Sequence, residues 1–421
     1  MLSKLQTGEQ VLTWKRKSDV SQIIVNLKAG ARHEKESERG VSHVIRHNIL
    51  GSNRYNTIIS NTRALFHIGA DVSVETSRDN ISIRVACGSR YLYHVLDFIG
   101  SALSYPKNYY HEVHYALQSC LIDHDNLKAN LLPEYILEEL HEKLFRTGYG
   151  NSLYVRSDCL SKIREHVVEA YMNRMFSSDR LTVGVISDLS HPFIEEYVSE
   201  CFELPRSPLE DEVRPKSHDG ESVILGDSRY FHSAFGYPAP SFDDNKWAAF
   251  CVLQKYLGAQ ENLLSCTGSR SHLSSALDGT LIKASCFYIP YDKTGVFGFY
   301  SIIPPQNYSE SLKQLCKCLN SVFTTGPTES DLKRAIALAK LDYISKFEST
   351  NQILTDAMLE VSRTAQLPQW EQRLRSIEEV SVSHIRSILK EFLDSKPVMV
   401  SMGDPSYIPA LDDAVSWMKG S

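Results

Sequence analysis

Three patterns recur in this chain in the same order and at one common offset, which constrains the fold more than any single motif. Around Ser77-Arg78-Asp79-Asn80, Val72 and Val74 and then Ile81, Ile83 and Val85 alternate with polar residues, the period of a half-buried hairpin. Around Asp292-Lys293-Thr294-Gly295, the stretches Ile282 to Ile289 and Val296 to Ile303 repeat that arrangement, with Gly295 expected to take the positive φ of a tight turn. Each hairpin leads into a helical period: Leu92, Val95, Leu96, Ile99 and Leu103 in one case, Leu312, Leu315, Leu319 and Val322 in the other. Finally, the apolar runs Leu181 to Ile186 and Val398 to Met402 end at Ser187-Asp188 and Gly403-Asp404, and the two aspartates lie 216 positions apart. A shared offset with shared order predicts a duplication: an α+β chain of two homologous α/β-sandwich-like domains. The expected boundaries are 1–205 and 221–421. The charged, Pro-bearing stretch 206–220 reads as the linker between them.

The length of 421 residues accommodates two such domains. A net charge of −6 without a basic stripe argues against a nucleic-acid surface, and no apolar run approaches the roughly 20 residues of a membrane span. Nine scattered cysteines without a C-x-x-C pair give neither a disulfide framework nor a cysteine-based zinc site. They read as small core residues in a reducing compartment. The chain has no haem-attachment sequence, no iron–sulfur spacing and no dinucleotide fingerprint, so it has no evident means to carry electrons.

One motif carries chemistry. In Gly40-Val-Ser-His43-Val-Ile-Arg46-His47, two imidazoles four residues apart share one face of a helix, as a metal pair requires. In the inverted zinc-peptidase pattern H-x-x-E-H, the fourth residue is the glutamate that takes a proton from zinc-bound water. Here it is Arg46. A guanidinium stays protonated, so it cannot act as a general base, and its fixed charge opposes a divalent cation.

The histidine pair follows the strand-like Ile23 to Leu27 and Gly30, and precedes the Val72 hairpin. In that order of elements the chain resembles the pitrilysin or insulinase family of metallopeptidases, which includes the mitochondrial processing peptidase and the core proteins of respiratory complex III. The resemblance covers nearly the whole chain and is carried further by Asn151-Ser-Leu-Tyr154, Val252 to Ala259 and Thr294 to Tyr300. It implies a third ligand position on a later helix, normally a glutamate, which is placed here at His124 within Asp123-His124-Asp125. His43, Arg46, His47 and His124 are therefore expected to form a degenerate motif, with no catalytic residue, no metal and no cofactor.

The branch implied is the non-catalytic one. Such a chain is a structural subunit, packed against core protein 1 and the cytochrome-bearing subunits of a dimeric multisubunit complex on the matrix side of the mitochondrial inner membrane. It touches the membrane only through those partners. The alternatives are an alpha-type presequence-binding subunit of the processing peptidase and a zinc metallopeptidase using His43, His47 and His124. The alpha type carries a glycine-rich loop after the helix near Leu257, whereas residues 260–278 hold only Gly268. Tyr91, Tyr93, Tyr109, Tyr110 and Tyr115 are candidate partner contacts. Phe297, Phe299 and Tyr300 read as core.

Overall fold

The computed structural model describes residues 1–207, 215–226, 229–258, 273 and 283–420. Part of the expected linker, all but Leu273 of the stretch compared with the glycine-rich loop, and Cys266 lie outside the described residues. Two compact units are present, each a mixed sheet with helices on both faces.

In the first unit the strands are β1 (Leu2–Lys4), β2 (Gln10–Lys15), β3 (Val20–Leu27), β4 (Asp71–Thr76), β5 (Ile81–Gly88) and β6 (Leu181–Ser187), ordered β1-β2-β6-β3-β5-β4. In the second they are β7 (Gly220–Leu225), β8 (Phe231–Ala239), β9 (Lys283–Pro290), β10 (Gly295–Ile303) and β11 (Val398–Gly403), ordered β7-β11-β8-β10-β9. Leaving out β1, the two orders coincide strand for strand. The senses coincide too: β2 with β6 and β7 with β11 are the parallel pairs, and every other neighbour is antiparallel. Each expected hairpin is present, closed by Ser77 N–H on Asn80 O at 2.8 Å and by Tyr291 N–H on Thr294 O at 2.7 Å. Each is followed by its helix, Leu92–Ser104 or Tyr308–Thr325.

Gly295 does not adopt positive φ. Its requirement is space, since a Cβ there would lie 2.5 Å from the carbonyl oxygen of Pro240.

The units are not the contiguous stretches 1–205 and 221–421. Residues 130–150 belong to the second unit and residues 346–368 to the first. Burial explains the exchange. Along β3, Ile23, Val25 and Leu27 face the core that includes the helices Val41–Asn48 and Leu92–Ser104. The alternate residue Ile24, paired with Gly184 of β6, lies on the other face and is also buried. Helix Thr350–Thr364 covers that face, and a Cβ on Gly184 would lie 2.3 Å from the sulfur of Met358. The second unit repeats the device with helix Leu132–Phe145: Leu140 occupies the space a side chain at Gly236 would need, 2.8 Å from its Cβ position. A strand clad on both faces reads as continuously apolar, which is the character of β6 and β11.

Phe297 and Phe299 are buried on one face of β10 among Phe250, Phe323 and Phe392, while Tyr300 enters the layer of helix Leu132–Phe145 on the other. All three are core, as the alternation predicted. Tyr93, Tyr109, Tyr110 and Tyr115 are exposed. Six of the eight described cysteines are buried.

Candidate functional site

The histidine pair sits on helix Val41–Asn48 in the first unit, whose buried residues Val41, Val44 and Ile45 fix its rotation against the core. With that face committed inward, His43 is fully buried, and His47, one turn on, is exposed. The helix start is held by Glu34, whose carboxylate accepts from Gly40 N–H and Ser42 N–H, both at 2.8 Å, and from the Ser42 hydroxyl at 2.5 Å. An anion suits a helix N-terminus, which presents unpaired N–H groups. Burial works the other way and pushes the Glu34 carboxyl up to about 7.

The second element is the long helix Tyr110–Asn130. It brings Asp123 to the histidines, with Oδ2 at 3.2 Å from His43 Nε2 and 3.0 Å from His47 Nε2. Arg46 comes within 3.8 Å of the same oxygen. The expected third position, His124, is therefore corrected to Asp123, which lies 76 residues beyond His47. A helix turns about 100° per residue, so one position separates the side chain that meets the pair from one that does not. His124 is buried elsewhere on the helix, and its pKa is lowered by burial and then by Lys128.

One turn earlier, Cys120 lies fully buried. Its sulfur falls within 4.8 Å of ring nitrogens of both His43 and His47. Burial, reinforced by the Asp123 charge, pushes this thiol up to about 12, so it stays protonated. Asp123 is displaced the opposite way. Burial alone would raise its pKa, but the hydrogen bonds from His43 and His47 hold it below the usual carboxylate range. For His43, burial dominates over the bond to Asp123 and lowers the ring to about 4. At neutral pH the cluster is thus a neutral imidazole in the core, an ionised aspartate and an adjacent guanidinium.

Two further groups surround His43. Tyr154 meets it edge-on, with ring centroids 5.3 Å apart, and the backbone N–H of Val155 donates to His43 Nδ1 at 3.1 Å. Asn151 anchors this segment, donating to the carbonyls of Ala31 and Glu34 at 2.9 and 3.1 Å. That explains why Asn151 to Tyr154 stood out in the sequence. Cys120 and Val155 had no sequence signal, and Asp123 had only its place beside His124.

The donor types are those zinc accepts: imidazole nitrogen, carboxylate oxygen and sulfur. Their protonation is not. A ring nitrogen that accepts a hydrogen bond carries no proton, so the single proton of neutral His43 sits on Nε2, the nitrogen that faces Asp123. A metal ligated by Nε2 requires that proton to leave, yet Nδ1 already faces a donor and cannot receive it. As arranged, the residues do not fit a metal ion, and no reaction step is routed through one.

Comparison with known proteins places these observations in a lineage. A family model described as insulinase (peptidase family M16) matches residues 10–156, and one described as peptidase M16 inactive domain matches residues 162–338. The human protein named cytochrome b-c1 complex subunit 2, mitochondrial, is 22% identical over 415 residues, which cover 98% of this chain and 91% of that protein. Its namesake in Cryptococcus neoformans is 25% identical over 410 residues, covering 93% and 89% of the two chains. A probable mitochondrial-processing peptidase subunit alpha-2 of Arabidopsis thaliana is 20% identical over 425 residues, covering 97% and 84%. With models of this family matching residues 10–156 and 162–338 and the same strand order in each unit, the chain belongs to the insulinase (peptidase M16) family.

Proposed function

We propose that this chain is a non-catalytic structural subunit of a cytochrome b-c1 complex, of the subunit 2 type, which supports assembly and stability of the ubiquinol to cytochrome c electron-transfer machinery. The observation that carries the non-catalytic part is Arg46. It stands where hydrolysis needs a proton acceptor, and its guanidinium lies 3.8 Å from the carboxylate that the histidines share. End-to-end similarity to subunit 2 proteins supports the complex to which it is assigned. No described helix is long and apolar enough to cross a membrane. The reading therefore places the chain peripherally, on the matrix side of the mitochondrial inner membrane, held by core protein 1 and the cytochrome-bearing subunits. The exposed Tyr109, Tyr110 and Tyr115 suit a permanent interface, where aromatics are enriched.

Native electrophoresis of mildly solubilised mitochondria tests the assignment: the chain should migrate with cytochrome b, and migration apart from it would refute the reading. The similarity to processing-peptidase alpha subunits keeps a second reading in view, that of a presequence-binding partner. It predicts saturable binding of a presequence peptide at micromolar concentration, where a complex III scaffold should show none. The purified chain should also fail to cleave a fluorogenic peptide in any chelator-sensitive manner. Cleavage abolished by His43→Ala would overturn the non-catalytic assignment.

A further inference from the structure

We infer that the backbone N–H of Val155 fixes His43 as a permanent Nε2–H donor, and that this contact, independently of Arg46, keeps the histidine pair from holding a metal ion. A histidine that ligates a metal through one ring nitrogen ordinarily gives the proton on its other nitrogen to a carbonyl or carboxylate, which stabilises the ligating form. His43 has the reverse arrangement, with a backbone donor aimed at Nδ1 from 3.1 Å. Only Nε2 can then carry the proton, and that proton points at Asp123 Oδ2, 3.2 Å away. Ligation through Nε2 would leave both ring nitrogens without a proton, an imidazolate, which forms only when a neutral ring gives up its last N–H.

The contact is well braced. Val155 is 1% exposed and packs over Gly40, where even a Cβ would come within 2.9 Å of the valine methyl. Upstream, Asn151 ties the segment to the carbonyls of Ala31 and Glu34. Neither His43, which is fully buried, nor the segment has room to rotate the donor away. His47 is differently placed. Its Nε2 also reaches Asp123, at 3.0 Å, but the residue is exposed. The cluster therefore works as a clip, with two imidazole donors and one guanidinium gathered on a single carboxylate. It joins helix Val41–Asn48 to helix Tyr110–Asn130 through side chains alone.

Long-range proton–nitrogen correlation NMR on the full-length, ¹⁵N-labelled chain reads this directly, with His43 identified by its absence in His43→Gln. The expected spectrum shows a protonated Nε2 and a bare Nδ1, unchanged by equimolar zinc chloride. A protonated Nδ1, or loss of the Nε2 proton on adding zinc, would overturn the inference. Val155→Pro deletes the donor and should raise zinc affinity by about tenfold or more, the scale on which such supporting contacts act. A folded Val155→Pro chain with zinc affinity unchanged would also overturn it. Should that variant fail to fold, the wild-type spectrum decides alone. None of these readouts depends on which complex the chain joins, so failure here and failure of the subunit assignment are separable.

Discussion

Replacing Asp79 by alanine is expected to destabilise the first unit by about 3–5 kcal/mol, the cost of leaving buried charge without its counter-ion. Asp79 sits in the turn between β4 and β5 and is 5% exposed. Its two carboxylate oxygens face Arg32 at 3.2 Å and Arg363 at 3.7 Å, both of which are largely buried. Arg363 lies on helix Thr350–Thr364, whose neighbouring Ser362 also donates to Asn80 at 3.4 Å. This turn is therefore where the helix from late in the chain is fastened to a sheet made early in it. Hydrogen exchange should show that helix losing protection in Asp79→Ala while β10 keeps its own. Combining Asp79→Ala with Arg363→Met should recover part of the loss, because the charge left behind is removed as well. If Asp79→Ala unfolds at the wild-type urea concentration, the ion pairs do not fasten the helix.

The second large effect is a pH dependence centred on Glu34. Its folded-state pKa of about 7 lies above the ordinary value of 4.5, so between those limits the folded chain holds a proton that the unfolded chain has released. Stability contributed by this group is then fully present below pH 4.5 and is lost as pH rises through 7, amounting to roughly 3 kcal/mol. Burial is the cause, and the bonds from Ser42 and Gly40 moderate it. Glu34→Gln carries no titrating proton, so the difference between wild-type and variant unfolding free energies should slope over this window and level off on either side. Parallel curves would dismiss the assignment. Glu34→Ala also strips the acceptor from two backbone N–H groups and a hydroxyl at the start of the histidine helix, a loss of about 2–3 kcal/mol on top of the same pH slope.

The lack of a proton acceptor at the fourth position of the histidine motif was legible at Arg46, because the charge of a guanidinium does not depend on its surroundings. The identity of the third residue was not. His124 and Asp123 are neighbours in sequence, and only the rotation of helix Tyr110–Asn130 decides which of them meets His43 and His47. The same limit applies to Cys120, which became part of the cluster only through the packing of two helices 70 residues apart.

Local pattern was sufficient for the duplicated hairpins, the buried strands β6 and β11 and the helix carrying the histidines, since periodicity and turn chemistry act between near neighbours along the chain. The exchange of helices Leu132–Phe145 and Thr350–Thr364 depended on something else: each sheet has a second apolar face, and the helix that covers it can come from anywhere in the sequence. The protonation of His43 was likewise settled in three dimensions, by a backbone N–H 112 positions away that no side-chain pattern announces.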